Sequence, residues 1–376
     1  MKVSIVGAGP GGLYAAILLK QMRNDLDVSV VEQNPKGATF GFGVVFSDDA
    51  LAFLRKDDAE TADLIEPNMV RWSDIAVVHK GERIAIDGIG FAGIGRLELL
   101  DLLQSRAKQL GVVPSYETRL DDLDDLKADL IIGADGLNSV VRASDDFGET
   151  VKLQKNRFVW YGTNREFDAL TQTFVDTEWG PMNVHHYSYA KGHATFLIEA
   201  NREVFQCAGF AQMEEPEYRK ICETIFANVL NGAKLIPNNS SWRQFPHLSC
   251  DTWYAGNKVL VGDALHTAHF SIGSGTRLAL EDIVALCSAL RDANWSVTEA
   301  LPLYQKNRAP ILAKIVNAAQ TSADWYDDYA EHMKQEPWPF ALDYIRRAGR
   351  ITPDRLRRMA PEFSANAEAN GLSLEV

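Results

Sequence analysis

Lys2-Val-Ser-Ile-Val-Gly7-Ala-Gly9-Pro-Gly-Gly12-Leu-Tyr-Ala-Ala-Ile-Leu-Leu19 opens the chain and decides its fold. Residues 3–6 read as a strand of the kind buried on both faces of a parallel sheet. Residues 13–19 carry apolar side chains at helical spacing. Between them, Gly7 permits a tight turn, Gly9 lets backbone approach a pyrophosphate, and Gly12 allows helix and strand to pack closely. The helix N-terminus adds partial positive charge. A second strand over residues 28–31 leads to Glu32, twenty residues past Gly12, where a carboxylate accepts hydrogen bonds from an adenosine ribose. This is a βαβ unit that binds a dinucleotide.

Working outward, residues 91–110 read as a helix, 128–134 and 259–262 as buried strands, and 276–290 as a helix. Between these pieces the period changes to two. Residues 158–167, 171–177, 182–190, 194–199 and 203–213 are rich in β-branched and aromatic side chains, as in an antiparallel sheet. A helix follows over 216–230, and the chain from residue 297 onward reads as helices broken at Pro337 and Pro339. Gly88, Gly90 and Gly93 repeat the glycine spacing without a buried strand before them or an acid twenty residues on, so they are expected to form a flexible connection.

The 376 residues are 46 % apolar and 24 % charged, which excludes fibrous and disordered classes. A formal net charge of −13 argues against a nucleic-acid partner, which needs a basic face to displace counterions. No run nears the ~18 apolar residues of a membrane span. With the first strand starting at Lys2, no leader peptide is expected. Cys207, Cys222, Cys250 and Cys287 lie far apart with no CxxC, which fits a reducing cytoplasm better than disulfides or zinc. A cytoplasmic protein with no membrane partner is expected, and its oligomeric state is left open.

Two later segments narrow the dinucleotide. Asp129-Leu-Ile-Ile-Gly-Ala-Asp135-Gly136-Leu-Asn-Ser139-Val-Val-Arg142 is a strand running into a turn with an acid. Val259-Leu-Val-Gly262-Asp263-Ala-Leu-His266 is a strand ending in Gly-Asp, followed by Gly273-Ser-Gly275-Thr276 at the start of a helix. Taken in order with the first glycines, these segments resemble the fingerprints of the class A FAD-dependent aromatic hydroxylases, the para-hydroxybenzoate hydroxylase family. Phe40-Gly-Phe-Gly-Val-Val-Phe-Ser-Asp48, residues 262–276, Trp325-Tyr326 and Arg350-Ile-Thr-Pro353 are similar to the branch holding salicylyl-CoA 5-hydroxylase and 2-aminobenzoyl-CoA monooxygenase.

The expected fold is α/β. A Rossmann-like FAD-binding domain (1–70, 95–150 and 255–300) is interrupted by an antiparallel β-sheet substrate domain (71–94 and 151–254) and finished by C-terminal helices (301–376). The resemblance implies a single-component monooxygenase. NADH or NADPH reduces FAD, O2 gives a C4a-hydroperoxyflavin, and an activated small-molecule aromatic ring is hydroxylated, such as salicylyl-CoA or 2-aminobenzoyl-CoA. The alternatives are a hydroxylase of a free aromatic or indolic acid and, further off, a non-catalytic FAD-binding protein.

Carried over position by position, the resemblance has Gly7, Gly9, Gly12 and Glu32 holding the ADP half of FAD. Arg96 reaches the phosphates or ribityl chain, and Asp263 the ribityl hydroxyls. Gly273, Gly275 and Thr276 bring backbone N–H groups and a helix N-terminus to the flavin pyrimidine. Asp135 matches a residue tied to pyrophosphate and nicotinamide, and reads equally well as a helix cap. Phe270 stands where many members have Pro, and Arg277 where they have Asn, so Phe270 is expected beside the substrate.

In the stretch from Asn183 to Tyr189, alternation puts His185, Tyr187 and Tyr189 on one face and His186 on the other. His185 and Tyr187 either orient a phenol and move its proton or pack as ordinary sheet aromatics. His269 is expected to touch substrate, with Trp160 and Phe42 as further pocket candidates. His266 and His269 have no Cys or third His near them, so no metal is expected. Arg346, Arg347 and Arg350 belong to a basic run that either receives CoA phosphates or forms a solvated helix face.

Overall fold

A computed structural model of the chain describes residues 1–39, 41–123, 126–349 and 351–375. The opening residues form a strand, Lys2–Val6, and a helix, Pro10–Met22, with Pro at the helix start, where its missing N–H costs nothing. The strand lies at the centre of a five-stranded sheet. Asp27–Val31 is on one side, and Leu130–Gly133, Lys258–Leu260 and Tyr254–Ala255 follow in turn on the other. All pairs are parallel except the last. Helices Pro10–Met22, Arg96–Gln109 and Gly275–Asp292 share a continuous apolar core with this sheet.

The second layer is an eight-stranded sheet. Its path runs Leu235–Ile236, Glu149–Thr163, His193–Ala200, Gly180–Ala190, Leu170–Thr177, Ile75–His79 and Glu82–Ile86, and Arg243–Cys250 also pairs Glu149–Thr163. Its strands are antiparallel apart from Leu170–Thr177 beside Ile75–His79. One face packs on helix Glu215–Ile225 through Tyr161, Phe196 and Cys222. At one end, Ile75, Ile84 and Phe174 pack against Trp325, Phe340 and Phe363 of the C-terminal helices. Those helices are Val297–Asp327, Tyr329–His332, Pro337–Arg346, Pro353–Met359 and Pro361–Ala369. Pro337 thus starts a helix.

Three local expectations change. Residues 203–213 are not a strand but a helix, Arg202–Cys207, and a 3-10 turn, Phe210–Gln212. The Asn201 side chain caps that helix by accepting from the Val204 N–H at 2.8 Å, and this local bond outweighs the aromatic composition. The helix expected over 91–110 begins only at Arg96. Phe91–Gly95 is the middle strand of a small sheet, between Gly43–Ser47 and Val70–Trp72. Gly88 and Gly93 are closely packed rather than a flexible connection. A Cβ on Gly88 would lie 1.8 Å from the Met359 carbonyl oxygen, and one on Gly93 2.7 Å from the Trp72 ring.

Candidate functional site

Two helices present their N-termini to the same cleft. A Cβ built at Gly9 or at Gly275 meets nothing within 4 Å, so open space stands over the first turns of Pro10–Met22 and Gly275–Asp292. Neither turn has an acidic residue or a side-chain cap, which leaves backbone N–H donors for an anionic or electron-rich group. Gly7 adopts φ +102°, and a Cβ there would lie 2.4 Å from the Ala134 carbonyl oxygen. On Gly12 it would lie 1.9 Å from the Gly7 carbonyl oxygen. Only glycine fits either place.

Glu32 stands against this turn. Its carboxylate accepts the Ala8 N–H at 2.9 Å and two Asn34 donors at 2.9 and 2.7 Å. Asp135 accepts the Val140 N–H at 2.7 Å, at the start of the short helix Val140–Ala143 whose N-cap is Ser139. Its other carboxylate oxygen is buried with no partner among the described residues, and burial raises its pKa.

Arg96, at the start of the helix Arg96–Gln109, and Asp263, in the turn after Lys258–Leu260, lie close enough for each charge to act on the other. Asp263 is exposed to the cleft yet surrounded by protein, and burial raises its pKa against the opposing pull of His266 and Arg96. Burial likewise lowers the Arg96 guanidinium, which Asp263 opposes. Sequence reasoning missed what holds Asp263 in place. Asp282 accepts the Gly262 N–H at 3.0 Å, a His266 ring N–H at 2.8 Å and Arg308 at 2.8 Å. The Glu281-Asp282 pair inside an apolar helix was the available signal. Two N-termini, an Arg–Asp pair and glycines that admit a close approach form a donor set that fits FAD.

Beside this cleft lies a cluster of rings. Gly273 (φ +62°) ends the turn Phe270–Ile272, where a Cβ would press on Val45 at 2.8 Å, and Thr276 follows in the first turn of the helix beyond. The Phe270 ring lies 5.0 Å from Phe158, 5.9 Å from Phe245, 5.2 Å from His185 and 4.1 Å from His269. His185 stacks on Tyr326 at 5.2 Å. Burial, with Arg347 adding to it, pushes His185 and His269 down to about 3, so both rings are neutral. Burial also raises Glu199, whose carboxyl lies 3.5 Å from the His185 ring, to about 8.

The alternation along Gly180–Ala190 holds. His186 turns to the opposite face, against Phe167 and Phe196. Tyr187, pushed up to about 12 by burial, donates its hydroxyl hydrogen to the Gly43 carbonyl at 2.9 Å. Trp160 lies against Gly41, and Phe42 against Gly162.

The arginine run is placed differently. Arg346 donates to the Leu374 carbonyl at 2.5 Å. Arg347 lies 3.9 Å over the Tyr344 ring and donates to the carbonyls of Ser271 and Tyr344 at 2.9 and 2.8 Å. Both therefore bond within the chain rather than extending into solvent. Arg350 and Phe40 lie outside the described residues. Among the described residues no cluster of three metal-ligating side chains occurs, and no helix is long and apolar enough to cross a membrane.

Residues 97–319 match the family model described as FAD binding domain, and residues 5–38 match that of an NAD(P)-binding Rossmann-like domain. The chain is 38 % identical to salicyloyl-CoA 5-hydroxylase of a Streptomyces species, over 93 % of this chain and 70 % of that protein. It is 33 % identical to 3-hydroxy-4-methyl-anthranilyl-[aryl-carrier protein] 5-monooxygenase of Streptosporangium sibiricum, over 99 % of this chain and the whole of that one. Among solved structures, 2-methyl-3-hydroxypyridine-5-carboxylic acid oxygenase superposes with a TM-score of 0.74 at 21 % identity, covering 95 % of this chain and 98 % of that chain. With the cradle's donor set, these similarities establish that the chain belongs to the FAD binding domain family and is an FAD-dependent aromatic monooxygenase.

Proposed function

We propose that this enzyme hydroxylates an electron-rich aromatic ring carried as a thioester, of the salicyloyl-CoA or 2-aminobenzoyl-CoA type, with NADH or NADPH as reductant. The observation that carries the reading is the similarity, over nearly the full chain, to two enzymes whose names attach the ring to coenzyme A and to an aryl-carrier protein.

In this reading the cradle of Gly7, Gly9, Gly12, Glu32, Arg96, Asp263, Gly273, Gly275 and Thr276 holds FAD, and the ring cluster walls the substrate. FAD, when bound, supplies the activation of O2 and the transfer of one oxygen atom. The chain orients the ring and keeps water out. Phe158, Phe245 and Phe270 provide the dry wall. His269 Nδ1 accepts the Ser271 N–H at 3.4 Å, which sets the tautomer that carries its proton on Nε2. As a neutral ring it then donates from Nε2 to a phenolic or carbonyl oxygen.

The test is NAD(P)H-dependent O2 uptake with salicyloyl-CoA, 2-aminobenzoyl-CoA, salicylate and 2-aminobenzoate, with products weighed by mass spectrometry. A hydroxylated thioester supports the reading. Hydroxylation of the free acids alone replaces it with a free-acid hydroxylase.

A further inference from the structure

One charge beside the ring cluster has no counterpart in the chain. Arg347 follows the helix Pro337–Arg346 and is part-buried. Its guanidinium donates to the carbonyls of Tyr344 and Ser271 at 2.8 and 2.9 Å, and both acceptors are uncharged. Its Nε–H is buried with no partner among the described residues. The group lies 3.9 Å over the Tyr344 ring and 5.8 Å from the centre of the Tyr326 ring. Among the described residues no carboxylate pairs with it. On the neighbouring helices, Asp343 is paired with His332 at 2.6 Å, and Asp327 accepts the N–H groups of Lys155 and Asn156 at 3.4 and 3.2 Å.

The titratable groups of the cluster supply no negative charge. His185 and His269 are neutral, Glu199 holds its proton at neutral pH, and burial keeps the Tyr326 hydroxyl protonated. A guanidinium stays protonated in proteins, so the cluster carries one positive charge. That charge already acts on His185, His269 and Tyr326, whose rings lie within 5.2 and 6.1 Å of one another. It acts equally on any molecule bound among them. A charge partly removed from water and left unpaired is costly, and a bound anion relieves that cost.

We propose that Arg347 makes the ring cluster select its substrate as a phenolate, favouring a 2-hydroxybenzoyl thioester over a 2-aminobenzoyl one. The proposal rests on the reading above, in which the cluster walls an aromatic ring carried as a thioester. A thioester has no carboxylate, so the negative charge must come from the ring itself. A ring hydroxyl ionises where a ring amino group does not. The hydroxyl proton leaves to solvent as the ring binds, and the phenolate oxygen accepts the hydrogen on His269 Nε2. Ionisation also puts more electron density into the ring, which favours attack on an electrophilic oxygen.

The experiment compares the wild-type holoenzyme with Arg347→Gln and Arg347→Lys. Gln keeps a donor for the Ser271 carbonyl without the charge, and Lys keeps the charge. The probes are salicyloyl-CoA and 2-aminobenzoyl-CoA, with salicylamide and 2-aminobenzamide as uncharged stand-ins that lack the thioester. Difference absorbance against pH reads the ionisation of the bound hydroxyl, and kcat/KM is measured for both thioesters. In wild type the bound hydroxyl should ionise about tenfold more readily than in solution. Arg347→Gln should lose that gain and lower the hydroxy-to-amino ratio of kcat/KM about tenfold, and Arg347→Lys should restore both. A turn that had merely loosened would release H2O2 in both variants without moving the ionisation. An unshifted hydroxyl in wild type, which needs no variant, overturns the proposal, and so do equal shifts in the Gln and Lys variants. If wild type turns over neither thioester, the thioester reading fails, and salicylamide still decides Arg347. Its ionisation shifted in wild type and lost in Arg347→Gln supports the role, and an unshifted or unbound salicylamide overturns it.

Discussion

Arg347 donates to the Ser271 carbonyl at 2.9 Å, and this bond ties the C-terminal helices to the turn that carries Phe270. The bond joins residues 76 apart, and the same guanidinium covers the Tyr344 ring. The helices therefore set the position of the Phe270 ring.

Arg347→Ala frees that turn. A charge-assisted bond of this kind is worth roughly 1.5–3 kcal/mol, discounted here because the residue is half-buried. The expected outcome is a fall in Tm of a few degrees and more reductant oxidised per hydroxylated product, with the excess found as H2O2. FAD content, read from the flavin absorbance of the purified protein, should stay near wild type.

Gly9→Ala and Gly12→Ala separate cofactor binding from folding. A methyl group at residue 9 enters open space, so Tm of the apoprotein should hold while FAD affinity falls. At residue 12 the methyl meets the Gly7 carbonyl oxygen, so apoprotein Tm and FAD content should fall together.

Asp263→Ala removes the carboxylate whose charge acts on Arg96. The purified variant should be pale, with FAD occupancy reduced about tenfold or more. Full occupancy would place the ribityl chain elsewhere.

Glu199 is pushed up to about 8 by burial, so the folded state holds its proton between the ordinary value of 4.5 and 8 while the unfolded chain releases it. Its contribution to stability is intact below 4.5 and is lost as the pH rises toward 8. Glu199→Gln should raise Tm increasingly across that window. A difference that stays constant with pH would contradict this.

His186 is held down to about 3 by burial, and its ring bonds the Thr173 hydroxyl at 2.9 Å. The unfolded state takes up a proton below about 6.5, so stability is lost as the pH falls from there toward 3. His186→Gln should soften the acid limb of a Tm–pH curve. Because the ring faces away from the site, product formation at neutral pH should change little.

The glycine turns and the parallel strands were legible in the sequence because their meaning is local: a tight turn needs glycine, whatever surrounds it. The strand Phe91–Gly95 was hidden by its run into a helix, since apolar residues at its boundary satisfy both periods. The ring cluster was only half legible. His185, His269 and Phe270 carried visible signals, but Phe158, Phe245 and Tyr326 join them from distant strands and a helix end. Arg308 reaches Asp282 across 26 residues, a pairing that no spacing rule reveals.

Ala279 sits between the two glycine turns. Its methyl group lies 3.5 Å from where a side chain on Gly11 would begin and 3.0 Å from the same point on Gly262. A molecule of fixed length must reach from the first helix end to the second, so this one methyl works as the stop of a caliper. Bulk at this place would spread the jaws without touching the molecule they grip.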